Sequence, residues 1–325
     1  RPPCRARRER GGGAAASAAT HPPPRACARA RRRGTTARTP PRAGRPRAAA
    51  PPRGPGARGG DGPRLWHLTW TLAVTDFKLR FFGSVFGYLW QLMRPLMLFG
   101  VLYLVFSLFI DTTAGLPYFP ISLLLGIVLF QFFGEATTNS VRSVLVREGL
   151  IRRVEFPRLA IPLAVVLTAT FNLCLNLIPV FVFLIAAGGR PELTWLELPF
   201  ILAMLIALAL GLAMGLSALF VRYRDIEPIW DVVMQALFYI TPILYSIQLV
   251  IDKSSITVAR IMMLNPFATV VQQARHAVVS DEYLSTGQVF GNAIWVLVPI
   301  AITIGVVVVG WFIFRRAAPR LAEEI

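Results

Sequence analysis

The chain has 325 residues, 55% of them hydrophobic, yet it carries a formal charge of +17. Half of the basic residues, all Arg, fall within Arg1–Arg64 against only Glu9 and Asp61, and the rest of the chain is nearly neutral. The basic character therefore belongs to a tail, no nucleic-acid partner is expected, and the remainder reads as a membrane protein.

Residues 1–64 are almost wholly Arg, Pro, Ala and Gly, with no Ile, Val, Met, Phe or Tyr. Such a stretch cannot bury enough apolar surface to offset the entropy of ordering, so the expectation is a disordered, inert tail. Its composition is that of translated upstream sequence from a GC-rich genome, and it contains no apolar core of signal-peptide length. Cys4, Cys27 and Cys174 have no paired spacing, and His21, His67 and His276 are scattered, so no metal site is expected.

From Leu65 to Phe82 the pattern is amphipathic. At 100° per residue, Trp66, Trp70, Ala73, Phe77 and Phe81 share one face, with His67, Thr71, Thr75 and Lys78 on another. Trp and Phe beside Lys78 and Arg80 suit a helix lying in the cytoplasmic membrane interface. Six apolar stretches follow, each near the roughly 20 residues that a spanning helix needs. They run over about Trp90–Ile110, Tyr118–Thr137, Leu159–Ala187, Leu196–Val221, Ile229–Ile251 and Ala293–Phe314. Pro162, Pro179 and Pro242 inside spans are read as kinks whose freed backbone groups find partners on neighbouring helices. Basic residues concentrate on one side of this pattern, from Lys78 and Arg80 through Arg142–Arg158 and Arg222–Arg224 to Arg315–Arg320. The other side keeps Arg190, Lys253, Arg260 and Arg275. The positive-inside rule then puts both termini in the cytoplasm.

Catalytic machinery is missing from the sequence. Lys78 and Lys253 follow Phe77 and Asp252, so no Gly-rich phosphate loop ending in Lys can be written, and no nucleophile–His–carboxylate set assembles. What stands out instead is the segment between spans two and three, where Arg147, Glu148, Arg152, Arg153, Glu155 and Arg158 surround Leu150, Ile151, Val154 and Phe156, ended by Pro157. A positive-inside loop explains the Arg residues but not the interleaved apolar ones, which fit docking of a soluble partner. The short turn Arg222–Ile226 is either structural or a second docking point.

Polar residues recur every four positions inside spans: Gln131, Glu135 and Asn139 on the second, and Asp231, Gln235 and Tyr239 on the fifth. Ionisable groups there are costly and face protein or a water path. For Glu135 and Asp231, gate or channel and packing are equally weighted. Asn172 and Asn176 on the third span read as helix–helix hydrogen bonding. Among the small-residue pairs Gly83/Gly87 and Gly211/Gly215, only the second falls where two spans can approach.

Four stretches, in order, carry a resemblance: "TDFKLRFFGSVFGYLWQLMRPL", "GLIRRVEFPRLAIPL", "RYRDI" with "ITPILYS", and "LNPFATVVQQAR". Together they resemble the type-two ABC export permeases of the polysaccharide, O-antigen and teichoic-acid class, over about Leu65–Ile325. The resemblance implies an all-α membrane domain over residues 65–325, with an amino-terminal interfacial helix, six transmembrane helices and a re-entrant hairpin near Asn265–Asp281. It implies a homodimer in the bacterial plasma membrane, docked on two copies of an ATPase subunit that alone uses ATP and Mg, and export of a lipid-linked glycan. Carried over by position, Asp76, Lys78, Arg80, Ser84, Gly87, Trp90 and Pro95 match the amino-terminal signature. Leu150, Ile151, Arg152, Arg153, Phe156 and Pro157 match the coupling helix, and Arg224 and Asp225 the second inner turn. Pro242 and Tyr245 match the fifth span, and Asn265, Pro266 and Arg275 the outer hairpin. Phe81, Phe82 and Arg94 depart from the common pattern, which leaves substrate identity open. The rival readings are an exporter of a drug or small lipid and an ion-coupled secondary transporter, the latter disfavoured because the spans show no internal duplication.

Overall fold

The computed structural model describes residues 61–81, 87–105, 116–147, 157–190 and 192–317, and among them every regular element is helical. Helix α1 spans Asp61–Phe81, starting within the stretch that composition assigns to the tail. Pro63 sits in the first turn, where its missing N–H costs nothing. Helix α2, Gly87–Val105, covers the described part of the first expected span. Helix α3, Phe119–Val146, opens with Pro120 in its first turn and runs on well past Thr137. Its 28 residues extend for about 42 Å at 1.5 Å per residue, beyond the ~30 Å hydrocarbon layer. Helix α4 spans Ala160–Ala186 and gives way to Gly188, whose φ of 91° is the left-handed turn that glycine adopts without strain. A 3-10 turn, Leu193–Glu197, leads into α5, Leu198–Arg222.

Next come α6, Ile226–Ile240, and three short helices, α7 (Ile247–Lys253), α8 (Ile256–Met263) and α9 (Pro266–Ala274). A π-helical turn, Arg275–Val279, extends α9 before α10 (Thr286–Phe290) and α11 (Ala293–Ala317). Four segments among the described residues are long and apolar enough to cross a membrane: Phe119–Val146, Ala160–Ala186, Leu193–Arg222 and Ile294–Ala317. Of the four, the first is the most buried and the last the least. Helix α3 is thus the axis of the bundle, packed by α2, α4, α5 and α6.

Glycine sets the closest helix crossing. A Cβ on Gly310 of α11 would lie 2.0 Å from the Gly211 carbonyl oxygen of α5, and one on Gly211 would lie 2.8 Å from the Val307 backbone. The small-residue pair on α5 therefore has its complement on α11, and the two backbones touch, as packing between membrane helices favours. A separate cluster, Val144, Ile161, Met214, Ala218 and Phe314, ties the neighbouring ends of α3, α4, α5 and α11 together.

The expected fifth span, Ile229–Ile251, is not one helix. Helix α6 stops at Ile240, the chain turns through Thr241–Ser246, and α7 begins only at Ile247. Pro242 cannot donate to the helix, so it ends α6 instead of bending it. The broken backbone leaves carbonyls in an apolar setting that need donors from elsewhere.

Candidate functional site

Two polar constellations occupy opposite ends of α3. At the end where α3 meets Arg147, three ion pairs gather on this helix. Arg80 of α1 pairs with Glu135, Asp76 of α1 with Arg147, and Glu227 of α6 with Arg142. Glu135 also accepts a hydrogen bond from Asn172 Nδ2 of α4 at 2.8 Å, so one carboxylate joins three helices. Trp230 Nε1 of α6 donates to Thr137 Oγ1 of α3 at 3.1 Å. The apolar face of α1 meets α4 beside these pairs. Trp70 and Phe77 both approach the Phe171 ring edge-on, at centroid distances of 5.5 and 5.7 Å, and Ala73 is fully buried. Edge-to-face rings add about 0.5–1.5 kcal/mol per pair beyond burial, which helps hold α1 against the bundle.

At the other end, Arg275 is 1% exposed and has no carboxylate partner among the described residues. Its guanidinium donates to the carbonyls of Pro242 (2.6 Å), Ile243 (2.5 Å) and Tyr245 (3.1 Å), and Nε to that of Ser122 (3.4 Å). Three of these carbonyls belong to the turn that follows α6 and the fourth to the first turn of α3, gathered on the one side chain that offers five donors in a fixed fork. Gly126 of α3 makes the room: a Cβ there would lie 3.2 Å from Ile243 Cγ2 and 3.4 Å from Arg275 Nη2. Tyr245 completes the turn by donating its hydroxyl to the carbonyls of Tyr239 and Ile240. Asn265 caps α9 through Phe267 N at 3.0 Å, with Pro266 in the first turn, and Thr269 Oγ1 returns to Met263 O at 2.7 Å.

The residues singled out in the sequence divide accordingly. Asp76, Arg80, Glu135 and Arg147 come together in the charged crossing, while Tyr245 and Arg275 meet at the opposite end of α3, with Asn265 and Pro266 at the start of α9. Asp231, Gln235 and Tyr239 are exposed on α6, as are Trp90 on α2 and Lys78 on α1. Arg224 and Asp225 form the exposed turn before α6, and Pro157 opens the turn before α4. Leu150, Ile151, Arg152, Arg153 and Phe156 lie outside the described residues. Sequence reasoning passed over Glu227 and Trp230, which tie α6 to α3. Their signal was present in the charge of Glu227 opposite Arg142 at the ends of two helices.

The described residues thus form an all-helical domain with a charged crossing at one end of α3 and a turn held by Arg275 at the other. Residues 67–279 match the ABC-2 type transporter family, and the chain belongs to it. The O-antigen export system permease protein RfbA of Klebsiella pneumoniae is 29% identical over 264 residues, covering 80% of this chain and 95% of the relative. RfbA of Myxococcus xanthus is 28% identical over 203 residues, covering 62% and 76%. The polysialic acid transport protein KpsM of Escherichia coli is 23% identical over 221 residues, covering 66% and 82%.

Proposed function

We propose that the chain is the transmembrane permease subunit of an ATP-driven exporter that moves a lipid-linked polysaccharide across the bacterial plasma membrane. It has no nucleotide site of its own. Two copies form the pathway, and two copies of a partner ATPase bind and hydrolyse ATP with Mg. Both termini are cytoplasmic, α1 lies in the inner interface, and the segment after Arg147 docks on the ATPase together with the turn at Arg224–Asp225. The chain crosses the membrane six times, α2 and the interrupted α6 supplementing the four long segments, and α7–α10 form a hairpin re-entering from the outer face.

The observation that supports this reading best is the position of the charged crossing. Arg147 is the last residue before the charged, apolar-interleaved segment, and it is held to α1 while Arg142 is held to α6. A push on that segment therefore acts at once on α3, α1 and α6, which the ion pairs tie together. The driving force is the difference in the ATPase's nucleotide contacts between the two states. Asp231, Gln235 and Tyr239, exposed on α6, then face the second copy or the conduit.

Proteoliposomes holding the chain and its ATPase test this function. ATP-dependent transfer of a lipid-linked O-polysaccharide to the far leaflet is the expected result. Transfer of a small lipid or drug without the glycan supports the rival exporter, and glycan transfer driven by an ion gradient without ATP overturns the mechanism.

A further inference from the structure

At the end of α3 remote from Arg147, a cavity of about 230 Å³ lies between Tyr118, the turn Gly188–Arg190 after α4, Glu192, and His276–Ser280 of the hairpin. Three of its polar groups are left unused by the fold: the Tyr118 hydroxyl, the Arg190 guanidinium and one ring nitrogen of His276. The Tyr118 hydroxyl and the Arg190 guanidinium have no hydrogen-bond or ion-pair partner among the described residues. His276 uses one ring nitrogen only: Nδ1 lies 2.7 Å from the Tyr283 carbonyl, so it donates there, and Nε2 is left for a ligand. Of the other basic side chains on this side, Lys253 is exposed on α7 and does not line the cavity, and the remaining two are committed. Arg260 donates to Val289 O at 3.1 Å, and Arg275 is spent on four carbonyls.

The walls are held in shape by two left-handed residues. Tyr118 has φ 54° and ψ 30°, the one positive φ outside glycine among the described residues, and Gly188 has φ 91°. A left-handed conformation costs a residue with a Cβ about 1–2 kcal/mol. Tyr118 keeps it because its carbonyl starts α3, accepting from Ile121 N at 2.9 Å and Ser122 N at 3.1 Å. A Cβ on Gly188 would stand 4.0 Å from the Tyr118 hydroxyl, so the phenol and the turn face one another across the cavity.

We propose that this cavity binds a phosphate group that carries neighbouring hydroxyls. The Arg190 fork matches phosphate oxygens, and the Tyr118 hydroxyl supplies a further donor. His276 Nε2 and the Glu192 carboxylate accept from hydroxyls beside the phosphate, and Glu192 limits the net attraction for a bare anion. Such a group comes either from a phosphorylated saccharide or from the glycerol phosphate headgroup of a membrane lipid. Its place on the outer face rests on the orientation proposed above, whereas the binding chemistry does not.

The test uses the complete permease–ATPase complex in maltoside detergent, with its nucleotide sites saturated by ADP and Mg, and titrates glucose 1-phosphate, inorganic phosphate and glucose by calorimetry. Glucose 1-phosphate is expected to bind more tightly than phosphate, with no heat from glucose. Arg190→Gln should weaken it at least tenfold, and Tyr118→Phe severalfold with the fold's own hydrogen bonds intact. Glu192→Gln should tighten inorganic phosphate. If soluble probes fail but phosphatidylglycerol co-purifies with the wild type and is lost in Arg190→Gln by native mass spectrometry, the ligand is the lipid headgroup. Glucose binding as well as its phosphate overturns the proposal. So does equal binding by wild type and Arg190→Gln, or binding of neither soluble probe nor lipid. No step of the test requires transport, so a failure of glycan export would leave this site standing.

Discussion

Arg147, which caps the end of α3, is ion-paired with Asp76 of α1, 71 positions earlier in the chain. The pair is partly shielded, with 16% and 34% of the two side chains exposed. It joins the amino-terminal helix to the residue that precedes the proposed docking segment. A pair at this depth lies between the exposed case, worth about 0–1 kcal/mol, and the buried case, where loss of one partner costs about 3–5 kcal/mol.

Asp76→Asn or Arg147→Gln should therefore cost about 1–2 kcal/mol of stability and lower ATP-driven export severalfold, with ATP hydrolysis by the complex less affected. Restoration of export by the exchange Asp76→Arg with Arg147→Asp would show that the contact itself transmits the push. A double variant as poor as the sum of the singles would assign each residue a separate role.

Removing Arg275 should be far more damaging than its single charge implies. Arg275→Met leaves the carbonyls of Pro242, Ile243 and Tyr245 without donors in an apolar setting, each at about 1–3 kcal/mol. The expected result is loss of the monodisperse peak in detergent chromatography. Arg275→Lys, a point charge without the fork, should keep the fold at a lowered unfolding midpoint. Normal behaviour of the Met variant would dismiss the lock.

The contact between α5 and α11 gives a sharp contrast between glycines. Gly310→Ala drives a methyl onto the Gly211 carbonyl and should destabilise by about 1–3 kcal/mol or more. Gly305→Ala on the same helix meets nothing within 4 Å and should be neutral or slightly stabilising. Equal thermal midpoints for the two variants would mean that the helices do not meet as described.

Glu135→Leu separates a structural tie from a gate. Loss of the carboxylate strands Arg80 and the Asn172 amide, so folding and assembly should suffer before transport alone does. Glu135→Gln, which still accepts from Asn172, should fold and retain most export. A Gln variant that is well folded but inactive would instead favour a role in the path.

The helices were legible where one physical rule dominates. Long apolar runs in α3, α4, α5 and α11 admit little besides spanning helices, and the composition of Gly211 and Gly215 announced a close approach without naming Gly310 as its partner. The break in the fifth span was hidden because Ile243 and Leu244 carry the apolar run across the turn and a proline inside a span is compatible with a kink, and hydropathy does not register where backbone hydrogen bonds end. The donors that make the break tolerable come from Arg275, some thirty positions later. The charged crossing was half legible: Asp76, Arg80, Glu135 and Arg147 each stood out by residue type, but pairing depends on how α1 lies across α3, which periodicity does not encode.

Coupling in the reconstituted complex tests most directly whether this membrane domain is driven by force received at its docking segment. ATP turnover and glycan transfer should be measured together for the wild type and for Arg152→Glu with Arg153→Glu, inserted at equal levels. The double variant should lose transfer while hydrolysis continues, and the chain without its ATPase should show no turnover. Undiminished transfer by the double variant, or turnover by the chain alone, would contradict a permease driven through those two arginines.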